Sequence, residues 1–248
     1  MLTERGKQIR RDSIYLSKAN GGYHYGGSFS CVEILIVLYD HVIKEDDRFI
    51  LSKGHACWPY YVLLRELGYD PKLEGHPSRD PSNGVLCNTG SLGHGLPMAV
   101  GMAIAKKYRG EEGRVYVLMG DGECQEGTTW ESMLIAARHK LNNLTVIVDW
   151  NGIQGSGHVL DILDIDFVKE GSFLNIANHI GWDSAFLPGH DIEVLKEYLS
   201  RTSHHNWPVL YLAKTIKGKG VSFMENNPEW HAKWPNPKEE KQMLEELS

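Results

Sequence analysis

Two segments of the chain carry residues that could do chemistry together. Gly120-Asp121-Gly122 interrupts a short apolar run at residues 115–119, and Asn151 follows a second run at residues 144–148, 30 residues after Asp121. A carboxylate and an amide oxygen are hard ligands, and glycines beside them let a phosphate approach the backbone. That pairing suits a magnesium ion bridging protein to a diphosphate, the metal keeping some water or phosphate ligands. A Gly-Asp-Gly turn alone often does no more than end a strand. The reading therefore rests on the two segments together.

To meet, these residues need a particular frame. Residues 129–141 have helical composition with apolar side chains at helical spacing, and the runs on either side are rich in strand formers. Strand, turn, helix and strand make a parallel crossover unit whose ligand edge is the carboxyl end of both strands. Asp121 and Asn151 would lie side by side there. Elsewhere the pattern predicts helices over 2–20, 31–42, 58–67, 96–107, 173–180 and 192–203, and strands over 49–51, 184–187 and 207–213. Residues 23–28 read as a glycine-rich loop carrying His24. Residues 74–95, with His76, and 155–168 read as long irregular segments, which inside a compact domain are usually functional or disordered. The helix over 96–107 is rich in glycine and alanine, which fits a subunit contact. Residues 214–220 form a basic loop after the last strand. The expected class is α/β, a central mostly parallel sheet with helices on both faces. One domain spans 1–237, with a short charged helical tail at 238–248.

Composition narrows the function. The 248 residues are 42% apolar and 23% charged, as in soluble globular proteins. No apolar run approaches the roughly 20 residues of a membrane span. A net charge of −6 without a basic stripe argues against nucleic acid as a partner. The four cysteines, Cys31, Cys57, Cys87 and Cys124, lack the spacing of a zinc site or disulfide framework. Free thiols in a reducing cytoplasm are expected.

Gly-Asp-Gly followed at this distance by an Asn after an apolar strand resembles the signature of thiamine-diphosphate enzymes. The resemblance implies that Asp121, Asn151 and the main-chain carbonyl of Ile153 hold magnesium, or calcium or manganese in its place, with Trp150 standing where the family has another asparagine. In order along the chain, Leu51-Ser-Lys-Gly-His55, Thr89-Gly-Ser-Leu-Gly93, Gly120-Asp-Gly-Glu-Cys-Gln-Glu-Gly127 and Trp230-His231 resemble landmarks of transketolases. By that resemblance His24 faces substrate, although Tyr23 and Tyr25 replace a glycine and a proline. His55 contacts the diphosphate, and His76 lies near the donor sugar's terminal hydroxyls. Gly90, Ser91 and Leu92 meet the cofactor's aminopyrimidine, and Gly120, Gly122 and Glu123 flank Asp121 in the cofactor site. Glu126 matches a glutamate of the subunit interface that relays protonation between paired sites. His231 lies near both diphosphate and sugar. Gly155 stands where many relatives carry a large aliphatic side chain, which implies a looser pocket.

The resemblance covers only the amino-terminal, diphosphate-binding domain of that family. It implies the first subunit of a split transketolase, transferring a two-carbon ketol unit from a ketose, a sugar phosphate or similar anionic sugar, to an aldose. A second subunit with the pyrimidine and C-terminal domains would supply the carboxylate that activates the cofactor, in an α2β2 assembly. Other thiamine-diphosphate subunits, of two-oxoacid dehydrogenases or deoxyxylulose-phosphate synthase, share the metal motif. A non-catalytic regulatory subunit would share the fold. His41, His139, His179, His190, His204 and His205 fall in helical or loop surroundings and are expected to be solvated. Trp130, Trp150 and Trp234 are expected to pack rather than bind.

Overall fold

The computed structural model describes residues 2–155, 157–163, 170–201 and 206–248. Its frame is a five-stranded parallel sheet in the order β1 (Arg48–Leu51), β2 (Val115–Gly120), β3 (Leu144–Trp150), β7 (Val209–Lys214), β6 (Asp183–Pro188). All pairings in it are parallel. In β1, β2, β3 and β7 alternate residues feed opposite cores, so these strands are largely apolar, whereas the edge strand β6 is half exposed. On β2, Tyr116 and Leu118 join one buried cluster while Val115, Val117 and Met119 join the other.

Helices cover both faces. The first core is closed by α3 (Val32–Val37), α4 (Cys57–Glu66) and α9 (Ile192–Leu199), with α1 (Glu4–Ala19) packed outside them. The second is closed by α5 (Gly95–Arg109), α6 (Gly127–Arg138) and α8 (Glu170–His179). After β3 the chain makes a two-residue antiparallel pair, β4 (Ile153–Gln154) with β5 (Gly157–His158), and one helical turn, α7 (Val159–Ile162). It then runs to the far edge, β6, and returns beside β3 as β7. That change of direction opens a crevice at the carboxyl ends of the strands, where such sheets bind ligands.

Three local expectations change. Residues 23–28 are not all loop: from Tyr25 they form a fully buried short helix, α2 (Tyr25–Ser30). Its glycines serve close approach rather than flexibility. A Cβ at Gly26 would lie 2.6 Å from the Trp230 carbonyl oxygen, and one at Gly27 2.8 Å from His55 Nε2. The helix over 31–42 changes its ending into a π-helical turn, Leu38–Val42. The irregular segment at 155–168 includes β5 and α7 in its described part; residues 164–169 lie outside the described residues, as do 202–205 at the end of the helix expected over 192–203.

The tail is also more than a charged appendage. Its helix, α10 (Pro237–Glu246), starts with Asn236 accepting from the Lys238 and Glu239 amides, while Glu239 reaches back to the Asn236 amide. Met243 and Leu247 are fully buried with Ile14, Phe29 and Trp230. The tail therefore helps hold α2, which carries the cavity wall, against the body. Met243→Ala should destabilise the protein by about 2–5 kcal/mol, as other buried methionine truncations do. A urea midpoint within error of the parent would show that the tail contributes no packing.

Candidate functional site

Register brings the two chemical segments together. Gly120 pairs with Asp149 across β2 and β3, so Asp121 and Asn151 leave the sheet at the same lip. One Asp121 carboxylate oxygen accepts from the Gly152 amide at 2.6 Å, and the other from the Gly122 amide at 2.8 Å. Asn151 Oδ1 accepts from the Ile153 amide at 3.0 Å, folding that turn beside them. The lip opens into a cavity of about 290 Å³.

Most of the residues singled out in the sequence meet there. His24, His55, His76 and His231 form its wall, and Gly90 and Leu92 a second side. Gly120, Asp121, Gly122, Glu123, Asn151 and Ile153 form the floor. Two do not line it. Ser91 is exposed, with its hydroxyl 3.2 Å from His94 Nδ1. Glu126 caps α6 next to the cavity and packs behind Gly93, where an added Cβ would lie 2.6 Å from the Glu126 Cβ. Gly90 has a φ of 128° and passes so close to His76 that a Cβ would fall 2.7 Å from its ring. Gly155 lines the cavity, and His231 stands where a side chain there would project, 3.3 Å from an added Cβ.

The wall is a cluster of rings. His24 lies 5.6 Å from His55, 5.9 Å from His76 and 5.5 Å from His231 between ring centres, and His55 lies 5.0 Å from His231. Burial, then the charge of Lys217, pushes His231 down to about 3. Burial and the neighbouring His76 push His24 to about 4. His55 is held well below the usual range by burial and Lys53, and burial lowers His76. All four are neutral imidazoles near pH 7, each able to donate one hydrogen bond and accept another. His24 holds a left-handed backbone, φ 68°, with its ring stacked on Tyr23 at 4.2 Å. Trp234 flanks Tyr23 at 5.3 Å, exposed at the rim. Tyr25 turns away: its ring is buried in the core and its hydroxyl lies 2.7 Å from Ser17 Oγ.

Three further site residues are not among those singled out in the sequence. Lys53, which lines the cavity, forms a buried ion pair with Asp149 behind the floor. Asp149 is held below the usual carboxylate range by Lys53 despite burial, which opposes this, and Lys53 is raised by Asp149 against the same opposition. Lys217, on the loop after β7, donates to the Ile153 carbonyl at 3.0 Å and lies 3.1 Å from His231 Nδ1. Burial and the charge of Lys53 lower it to about 8. The signals in the sequence are a carboxylate inside a buried strand and a lysine at a strand exit. Glu123 has another role beside lining the cavity. It accepts from Ser52, from the Gly93 amide at 3.0 Å and from the Gly120 amide at 2.8 Å, tying three loops together.

His190 corrects an expectation as well. It is not a solvated histidine but bonds Glu33 and the Ile216 amide. His204 and His205 lie outside the described residues. Trp150 is buried in the core as expected.

The donor set suits a divalent cation with an anion. Asp121 is buried and, among the described residues, has backbone amides but no ion-pair partner. Burial and the nearby charge of Asp149 raise its carboxyl, so an added cation would relieve an unfavourable negative charge. The Asn151 amide oxygen and the Ile153 carbonyl, which accept from the Ile153 amide and from Lys217, are the further hard oxygens at the lip that could hold it. Lys217 and neutral His55 line the same cavity.

A family model described as "Transketolase, thiamine diphosphate binding domain" matches residues 7–246. The chain is 40% identical to an apulose-4-phosphate transketolase subunit from Actinobacillus succinogenes, covering 99% of this chain and 95% of that protein. It is 32% identical to the protein of the same description from Phocaeicola vulgatus, over 100% of this chain and 93% of the relative. Among solved structures, a transketolase from Campylobacter jejuni superposes with a TM-score of 0.81 at 27% identity, over 98% of this chain but 42% of that one.

The buried pair gives a direct test. Lys53→Met strands the Asp149 charge and should cost about 3–5 kcal/mol at neutral pH. Asp149 has a depressed carboxyl in the parent, whose stabilisation is present above its ordinary 3.8 and lost as pH falls. Acid neutralises the stranded charge in the variant, so the difference in stability should shrink as pH falls. A difference that grows in acid would contradict the pairing.

Proposed function

The chain belongs to the transketolase family through its thiamine diphosphate-binding domain, and we propose that it is the cofactor-holding subunit of a two-subunit transketolase. The activity is transfer of a two-carbon ketol unit from a ketose to an aldose. The observation that carries this reading is the lip shared by Asp121, Asn151 and Ile153, set against four neutral histidines.

In this reading Asp121, Asn151 and the Ile153 carbonyl hold a divalent cation, magnesium by preference for hard oxygen ligands and phosphate. Lys217 and His55 meet the diphosphate, and backbone at Gly90 and Leu92 borders the aminopyrimidine. Bound there, the cofactor supplies the electron sink needed to cleave a carbon–carbon bond beside a ketone. The chain's own residues do the rest. His24, His76 and His231 are uncharged, and a neutral imidazole suits a polyol because it can accept a hydroxyl proton or donate to a hydroxyl oxygen. Glu123 holds the Gly93 loop in place.

The chemistry of the cavity supports a partner. Among the described residues the cavity's carboxylates are Asp121 and Glu123, and both are already engaged with backbone amides. Neither is left to activate an aminopyrimidine. The partner would be a pyrimidine-domain protein, assembled with this chain as α2β2, in the cytoplasm; no helix among the described residues is long and apolar enough to cross a membrane. The relatives from A. succinogenes and P. vulgatus are both named as subunits of an apulose-4-phosphate transketolase. We take a phosphorylated ketose as the donor class, with apulose 4-phosphate first among candidates.

Two experiments follow. Purified alone with thiamine diphosphate and magnesium, the chain should show no ketol transfer, and activity should appear on adding the partner, with apulose 4-phosphate among the donors assayed. Full activity of the single chain would refute the two-subunit reading. Tyr23, rather than core-facing Tyr25, supports the substrate-facing histidine. Tyr23→Ala should raise KM for the ketose about tenfold, a loss of roughly 1.4 kcal/mol, and leave cofactor affinity unchanged. An equal loss in both would assign Tyr23 to the fold alone.

A further inference from the structure

The loop that carries Lys217 is held by a buried relay that starts on α1 and α3. Arg10 on α1 and Glu33 on α3 form a two-pronged ion pair with N–O distances of 2.7 and 2.9 Å, and both side chains are buried. Arg10 also donates to the Phe29 carbonyl at 2.7 Å. Burial would raise the Glu33 carboxyl, but Arg10 and His190 outweigh it and hold it down to about 2. Glu33 is therefore an anion at any working pH, and its Oε2 lies 2.8 Å from His190 Nδ1.

An anion at that distance keeps the proton on Nδ1. In a neutral imidazole the other nitrogen is then an acceptor. It is used as one: the Ile216 amide donates to His190 Nε2 at 2.9 Å. Ile216 immediately precedes Lys217. The same loop is pinned beside it, with the Gly189 amide donating to the Lys214 carbonyl at 2.7 Å and the Thr215 amide to the Trp150 carbonyl at 3.2 Å. Gly189 also passes so close to this loop that a Cβ would lie 2.8 Å from the Lys214 carbonyl oxygen.

We propose that Glu33 and His190 form a positioning pair whose task is to aim Lys217 into the cofactor cavity, the carboxylate fixing the histidine's tautomer and the histidine fixing the backbone at Ile216. This rests on the assignment of Lys217 to the diphosphate, and the geometry of the relay stands independently of it. Neither Glu33 nor His190 lines the cavity. The pair acts as the outer partners of metal-bound histidines do, by orienting what another group presents.

The test uses His190→Phe, which fills the space without an acceptor, and His190→Gln, whose amide can accept from Ile216 and donate to Glu33. Hydrogen exchange of the peptide spanning residues 214–220, measured without cofactor, should lose about tenfold protection in His190→Phe and regain it in His190→Gln, since exchange reports the local opening free energy. In the assembled enzyme, calorimetry with thiamine diphosphate and magnesium should show affinity falling about tenfold in His190→Phe, the scale of one lost hydrogen bond. In a Lys217→Met background the same substitution should cost nothing further, because effects on one interaction do not add. Unchanged exchange at 214–220 would overturn the proposal, as would an equal loss of affinity in both backgrounds. Altered exchange in a parent that binds no cofactor would support the positioning pair and remove the cofactor assignment instead.

Discussion

The whole floor of the site depends on one buried carboxylate that lies beneath the cavity rather than in it. Asp149 gathers Lys53 from the β1 exit, Ser30 from α2, Thr215 from the β7 exit and Asn151 from its own strand end. Four segments far apart in sequence are thereby held in register at one edge. A buried charge is expensive unless it is paired and its remaining lone pairs are occupied. Here both carboxylate oxygens are engaged, so the arrangement is rigid rather than merely tolerated. Asp149 also sits close enough to Asp121 to raise its carboxyl. The charge that braces the floor therefore also bears on the aspartate at its lip.

Close approach is the second constraint. The histidine wall exists because α2 can press its glycines against His55 and the Trp230 backbone, while Gly90 lets the 89–93 loop reach His76. A side chain at any of these positions would force rings or backbone apart. The same logic explains why the tail matters: α10 buries Met243 and Leu247 against Phe29 and Trp230, which flank that contact.

How legible each residue is in the sequence follows from how it is used. Asp121 and Asn151 are readable because strand ends are marked by apolar runs and turn glycines, and parallel register then forces their meeting. His55 and His76 are readable from their motifs. Lys53 sits inside a recognised motif, yet nothing local says that its partner lies 96 residues away. His190 looks like any loop histidine, because its two partners come from α3 and the β7 exit. Tyr25 flanks His24 in sequence and faces the core in space, since a helix begins between them. The α2 segment reads as a loop because Gly-Gly signals a turn in local terms, and only tertiary packing reveals that glycine serves contact. Local patterns mark the strands and their ends; long-range electrostatics and close packing leave no such mark.

The distribution of charge also limits where such a fold can be divided between chains. The polar groups of the floor are supported from within, by backbone amides, by Lys53 and by Lys217. The wall is different. Its histidines pack against one another and against Tyr23, and the described residues of the cavity offer no free carboxylate. A boundary along that line keeps the braced floor within one chain. A boundary drawn instead between Asp149 and Lys53 would leave an unpaired buried charge in each half, at a cost of about 3–5 kcal/mol for the broken pair. The position of that ion pair therefore sets which divisions of this fold leave both pieces able to fold.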